Sequence, residues 1–383
     1  MRRREGIEMV IRGINKRKNM KRIMVPPTIF VLLLLSSVLS PVQAGVVFED
    51  NFDSQPNWNV NREVEGPCDY PCSNAPNHST MGTLQWNAYY IVPFSGSFAH
   101  SIASIQAPPT GTDHSGRGKA FIGYHQSSGN YGGNGSWGGN STLQVTLPQD
   151  HPELYARFWV KTQSNWQWDT TGNSMAKMFR IEHWDKTPGT TFDYFSTGHT
   201  APAWLWMWYY SPTYGVRKMN AYRCSPQSTD YYCPSNGYSS DGGDGSSPDA
   251  AIWPGTTYSD TPSKPGLWSD GNWHRYDVHI KINSAPGAND GLIEYWWDGN
   301  LIWQRTNLQW MSANTTDPAN RNWNIVAIGG NTDYVFGTGN AEQWYAIDDV
   351  VVSTIPIPEN YVIGGGAGAD ATRPAAPTGL KIQ

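Results

Sequence analysis

The sequence predicts an all-β fold, an antiparallel β-sandwich, and three observations lead there. Short runs of β-branched and aromatic residues recur along the chain, each bounded by Gly, Pro, Asn, Ser or Asp. Charged residues make up only 15% of the 383, while Gly (39), Trp (19) and Tyr (20) are abundant, a balance that disfavours long helices. No segment carries a helical apolar period. Many strands joined by turn chemistry close as a sandwich or barrel, not as a parallel sheet wrapped in helices.

The elements follow in order. Residues 1–44 stand apart. Nine cations (Arg2, Arg3, Arg4, Arg12, Lys16, Arg17, Lys18, Lys21, Arg22) precede the apolar run Ile29–Leu35, and small residues end at Val42-Gln43-Ala44. This is the pattern of a secretory signal peptide cleaved after Ala44, and a start at Met20 would give it the ordinary length. Val46–Phe52 reads as an opening strand. Residues 66–140 are mostly turn chemistry with short strands such as Ala120–Tyr124, and Asn130–Asn140 is a Gly-rich loop. From there the strands are clear: Leu143–Leu147, Leu154–Lys161, Ala176–Trp184, Ala203–Tyr210, Trp273–Asn283, Leu292–Trp297, Leu301–Arg305, Asn324–Ile328 and Trp344–Ser353. Residues 211–270 read as a long insertion, of the kind that often carries function. The domain is expected to span residues 45–358, with residues 359–383 a flexible C-terminal tail rich in Gly and Ala.

Removing the leader changes the charge. It holds 9 of the 27 Lys+Arg and 2 of the 32 Asp+Glu, which leaves 18 and 30, a net charge of −12. That argues against a nucleic-acid partner, since phosphate binding needs a basic face. No later apolar run approaches the roughly 18 residues of a membrane span. The expectation is an exported, secreted or periplasmic monomer. Its four cysteines form two close pairs, Cys68/Cys72 and Cys224/Cys233. Export favours disulfides and local pairing is the simplest of three connectivities; a zinc site is the competing reading, although the spacings are not those of two C-x-x-C knuckles.

Strand parity sorts the side chains that could carry chemistry. Leu154, Ala156, Phe158 and Val160 share one face, and Tyr155, Arg157, Trp159 and Lys161 the other. Phe179 and Ile181 suit a core, leaving Met178, Arg180 and Glu182 opposite. His274, Tyr276, Val278, Ile280 and Ile282 face one way; Arg275, Asp277, His279, Lys281 and Asn283 face the other. In Ala203–Tyr210, Trp204, Trp206, Trp208 and Tyr210 share a face. Flat indoles there suit stacking on sugar rings, and equally suit burial between two layers.

At this point a resemblance appears. The run DGNWHRYDVHIKINSAPGANDGLIEYWWDGNLI (Asp270–Ile302) resembles a hairpin of concanavalin A-like jelly rolls, in which a W-H strand leads to a D-G turn and then a W-x-D-G turn. The opening VVFEDNFDS and the closing AIDDVVVST (Ala346–Thr354) resemble the paired terminal strands of that fold. The spacing, with LYARFWVK and AKMFRI before it, is most similar to alginate-lyase-like polysaccharide lyases. The likeness covers about a quarter of the chain and implies a jelly-roll β-sandwich. It also implies a structural Ca²⁺ near the terminal strands, with Asp348 best matching the ligand position and Asp50 beside it; capping carboxylates are the plain alternative.

Three functions compete. A retaining β-glucanase of this superfamily needs two carboxylates about 5–5.5 Å apart. Its motif, two Glu four residues apart on one strand face, is absent: no two of Glu49, Glu63, Glu65, Glu153, Glu182, Glu294, Glu342 and Glu359 have that spacing. A polysaccharide lyase instead abstracts the acidic proton beside a uronate carboxylate, so a cation must neutralise that carboxylate and a Tyr, His or Lys must move protons. The resemblance implies a catalytic Lys at Lys177 and a tyrosine at Tyr210. Beside them the reading of the residues sets Arg180 on the carboxylate, His279 on the proton, and a local basic cleft of Arg157, Lys161, Arg180, Arg275 and Lys281 with the indoles of Trp206 and Trp208 along the substrate. The Pro-Gly that commonly follows the Lys is missing, and Trp208-Tyr209-Tyr210 replaces the usual Y-x-Y. By parity Lys177 lies opposite Arg180, so both serve one site only across a bulge or strand end. The third reading is a lectin-like module that needs only an aromatic platform and a few polar groups.

Overall fold

Alternating runs become fifteen strands among the residues described in the computed structural model, which are 45–59, 75–76, 84–91, 103–109, 114, 118–126, 137–164, 166, 174–182, 202–211, 216–220, 271–308, 310–311, 313, 322–333 and 342–364. They are β1 (Val46–Asp50), β2 (Trp58–Asn59), β3 (Ala88–Ile91), β4 (Ala103–Gln106), β5 (Ala120–Gln126), β6 (Trp137–His151), β7 (Glu153–Thr162) and β8 (Ser174–Glu182). The rest are β9 (Pro202–Ser211), β10 (Val216–Asn220), β11 (Trp273–Lys281), β12 (Gly291–Trp297), β13 (Asn300–Leu308), β14 (Trp323–Asp333) and β15 (Glu342–Ser353). A nine-stranded sheet runs β13-β12-β11-β7-β15-β5-β4-β2, with β1 also paired to β15; a six-stranded sheet runs β10-β9-β8-β14-β6-β3. Every pairing is antiparallel. The chain is an all-β jelly-roll sandwich, as expected.

The core forms where the two inward series meet. Leu154, Ala156, Phe158 and Val160 of β7 are buried with Tyr276, Val278 and Ile280 of β11. Facing them are Leu143 and Val145 of β6, Phe179 and Ile181 of β8, and Val326 and Ile328 of β14. Phe158 stacks on Phe179 across the layers at 4.7 Å between ring centroids. Each buried Leu, Ile, Val or Phe among them contributes about 1.5–3 kcal/mol by leaving water. Tyr345 crosses the core from β15, and its hydroxyl accepts the Gly330 N–H of β14 at 3.3 Å. Gly123, paired with Tyr345, leaves the ring that path, since a Cβ there would stand 2.6 Å from it.

The hairpin from β12 to β13 shows how local chemistry sets register. Asp298 (φ 47°) and Gly299 (φ 79°) both take the left-handed backbone of a two-residue hairpin turn. The Asp298 carboxylate accepts the Arg275 backbone N–H at 2.8 Å and lies 2.8 Å from His274 Nδ1, tying the turn to β11. The first strand is shorter than expected. It ends at Asp50, because Asp50 Oδ1 accepts the Phe52 N–H at 2.8 Å and Phe52 adopts φ 58°.

Three further differences matter for the site. β10 lies inside the segment read as an insertion and pairs with β9. β6 begins at Trp137, within the segment read as a Gly-rich loop. Residues 359–364 are not a free tail: Glu359 grips Arg275, Tyr361 donates its hydroxyl to Glu49, and the Gly364 N–H reaches Glu49 Oε1 at 3.1 Å. The leader, residues 221–270 of the insertion and residues 365–383 lie outside the described residues. So do all four cysteines, Cys68, Cys72, Cys224 and Cys233. The expected bridges Cys68–Cys72 and Cys224–Cys233 therefore lie outside the described residues as well.

Candidate functional site

The six-stranded sheet turns one face to the core and the other away. On β8, Phe179 and Ile181 point inward with their register partners Ile328 and Val326 of β14. Arg180 and Glu182 therefore stand on the outward series, in cross-strand rows with Ala327 and Gln144, and with Ile325 and Thr146. Arg180 is only 1% exposed and Glu182 3%. A guanidinium removed from water on a sheet's outward face is costly unless its forked N–H donors are engaged, and that fork matches a carboxylate. Asn87 closes the far side of this face, where its Oδ1 accepts the Thr146 N–H at 2.9 Å.

The register between β8 and β9 answers the parity question. Lys177 pairs with Met207, and Phe179 pairs with Trp206. β8 thus carries one extra residue between Lys177 and Phe179, a bulge that resets alternation. Parity no longer forces Lys177 and Arg180 onto opposite faces. The same register bears on β9. Trp206 is the partner of Phe179, a core residue, and Trp208 and Tyr210 follow in its series, opposite Ala176 and Ser174. Tyr209, paired with Met175, shares the series of Lys177 two positions away. Sequence reasoning passed over Tyr209, and only the register at the bulge separates it from Tyr210.

The nine-stranded sheet holds the other expected residues, so they join no common site with Lys177 and Arg180. Arg157, Lys161, His279 and Lys281 belong to β7 and β11, on the far side of the core. The His279 ring lies between two carboxylates, with Nδ1 2.8 Å from Glu294 Oε2 and Nε2 2.7 Å from Glu153 Oε1. It also stacks on Tyr155 at 4.0 Å. Burial would lift the Glu153 carboxyl, but hydrogen bonds from His279 and Tyr155 hold it below its ordinary value. Arg157 donates to Asp277, and to the carbonyls of Pro358 (2.6 Å) and Ile357 (3.2 Å). Arg275 donates to Asp277 at 2.8 Å and makes a fork onto Glu359 at 2.6 and 2.8 Å. Lys161 sits over the Trp273 ring at 6.0 Å, and Lys281 is exposed. Arg157, Arg275 and His279 are thus committed to ion pairs within the protein, while Lys161 lies over an indole and Lys281 stays exposed.

The carboxylates expected to bind calcium are engaged as caps. Asp50 accepts N–H groups from Phe52, Gln55 and Trp86, the last at 2.6 Å. Asp348 accepts the backbone N–H of His114 at 3.0 Å and of Asp349 at 2.7 Å. Each Asp348 oxygen accepts one of those N–H groups, and a carboxylate oxygen has two lone pairs, while Asp50 Oδ2 accepts two donors. Among the described residues no three His, Cys, Asp or Glu side chains gather as a metal site.

No family model matches the chain, and no curated protein matches it. Solved structures do. A variant of the alginate lyase Aly36B in complex with alginate tetrasaccharide is 16% identical, with 79% of this chain and 98% of that one covered and a TM-score of 0.39. An endo-1,3-beta-glucanase from Streptomyces sioyaensis is 15% identical over 80% of this chain and 95% of that one, with a TM-score of 0.40. A botulinum neurotoxin type C structure is 10% identical over 80% and 49%, with a TM-score of 0.34. At these identities and TM-scores the likenesses carry no argument about this chain.

Proposed function

We propose that the protein is an exported, carbohydrate-active jelly roll that cleaves a uronate-containing polysaccharide by β-elimination on the outward face of the six-stranded sheet. The observation that carries this reading is the β8 bulge, which frees Lys177 and Arg180 from opposite parity on a strand beside the Tyr-bearing β9. In this reading Arg180 binds the uronate carboxylate and stabilises the charge that develops when the neighbouring C–H is deprotonated. Lys177 and a β9 tyrosine, Tyr209 or Tyr210, move the protons: one takes the proton at C5, the C4–O bond breaks, and the other returns a proton to the leaving oxygen. The product carries a conjugated double bond at its new non-reducing end.

That bond absorbs in the ultraviolet, which makes the test direct. The purified protein would be followed against alginate, glucuronan, pectate and glycosaminoglycans, with and without Ca²⁺. Rising absorbance on one polymer is expected. Lys177→Ala and Arg180→Ala should each lower the rate by about 10²–10⁴-fold. Tyr209→Phe and Tyr210→Phe, measured side by side, identify the tyrosine. Flat traces on every polymer from a folded protein would sink the lyase reading. Retention on the same polymers without turnover would favour the lectin-like reading.

A further inference from the structure

The outward face of the nine-stranded sheet carries a cleft of 430 Å³ on which the proposed elimination makes no demand. Two cross-strand rows form its floor. One runs Tyr155, His279, Glu294, Gln304; the other runs Arg157, Asp277, Trp296, Leu301. The segment Pro356–Glu359, after β15, crosses this floor as a strap and supplies one wall.

The charges of the cleft are spent within the protein. Arg157 and Arg275 give their N–H groups to Asp277, Glu359 and the strap carbonyls. His279 is enclosed by Glu153 and Glu294. The lining then holds three carboxylates (Asp277, Glu294, Glu359) against two committed guanidinium groups. A polyanion would find no open cation there and a surplus of negative charge.

What remains open is of another kind. Trp296 is half-buried, and among the described residues it makes no ring stack or hydrogen bond, so its indole face and its N–H are both available. Next to it on β12, Glu294 uses Oε2 for His279, which leaves Oε1 as an acceptor. Gln304, opposite Glu294 on β13, presents an exposed amide, and Leu301, opposite Trp296, is 43% exposed. An open indole flanked by a carboxylate oxygen, an amide and an apolar edge suits a pyranose ring. The C–H face lies on the indole, and the hydroxyls donate to Glu294 and exchange bonds with Gln304.

We propose that this cleft is a binding site for a neutral polysaccharide chain, with Trp296 as its platform. It stands on the opposite side of the core from Arg180 and does not depend on the lyase reading.

The test is affinity electrophoresis of the full chain through gels containing neutral glucans, mannans or galactans, with alginate as the anionic counterpart. Retardation by at least one neutral polymer is expected, and none attributable to this cleft by alginate. Trp296→Ala should weaken the binding about tenfold or more, the loss of one stacking platform. Trp296→Phe keeps a ring and should recover part of it, which separates loss of the platform from loss of the fold. Glu294→Gln should weaken binding by a smaller factor. Migration unchanged by every neutral polymer overturns the proposal, as does equal retardation of the wild type and Trp296→Ala. Neutral polymers give no elimination product, so this proposal and the lyase reading can each fail alone.

Discussion

Asp50 sets a pH dependence that its position on a terminal strand does not suggest. It is fully buried, and desolvation pushes its carboxyl up from 3.8 to about 7 against the pull of the Phe52, Gln55 and Trp86 N–H groups. The folded protein therefore holds a proton that the unfolded chain releases between about pH 4 and 7. The stability this proton confers is complete below the unfolded value and is lost as pH rises through about 7. The amount is on the order of a few kcal/mol. Asp50→Asn removes the titration and also sets an amide against the Trp86 N–H, at a cost of about 1–3 kcal/mol. Denaturant melts at several pH values should show the wild type weakening from pH 4.5 to 7.5 and the variant much less so. Parallel pH slopes would show that Asp50 is ionised in the folded state throughout.

The strap Pro356–Glu359 is the element whose partners were least visible in advance. Arg275 is 6% exposed and its fork lies on Glu359, which is 73% exposed. That hydrogen bond holds the Glu359 carboxyl below its ordinary value, so its contribution is present above about pH 4.5 and fades as pH falls below that. Glu359→Ala should cost about 1–2 kcal/mol near neutral pH, the exposed half of the pair being partly screened by solvent. The loss should shrink toward pH 3, and a pH-independent loss would mean that the strap is held by packing alone. The strap also shows where the sequence was legible. The inward series of β7 and β11 follow from strict alternation, and Phe158 and Tyr276 stand where that alternation put them. Arg157 and Arg275 were rightly set on the other face, yet they read as open cations because their partners arrive from 201 and 84 residues away. β10 (VRKMN) has no alternation to read. The bulge between Lys177 and Phe179 has no local signature either, and it alone decides whether Tyr209 or Tyr210 shares the series of Lys177.

At the scale of the whole molecule, the sandwich has two outward faces of different chemistry around one core, and its closing residues decide how firmly the second face is built. Composition placed the end of the domain at Pro358. The contacts place it at least six residues later. Glu49 of β1 is buried, and it receives both the Tyr361 hydroxyl and the Gly364 N–H. Ile363 is buried beside them. A chain ending at Pro358 loses these donors, the Glu359 fork on Arg275 and the part of the Trp296 cleft wall that Glu359 supplies in a single step. Leaving a buried carboxylate and a buried guanidinium short of partners should cost about 3–5 kcal/mol, less than the plain sum because the contacts share one strap. Thermal unfolding of chains ending at Pro358 and at Gly364 measures this, and the shorter should melt several degrees lower. The shorter chain should also bind neutral polymers more weakly, while its elimination rate on a uronate polymer stays that of the longer one at temperatures where both are folded. Equal melting would mean that the domain closes at β15. Equal loss of both activities would mean that the two faces are not independent.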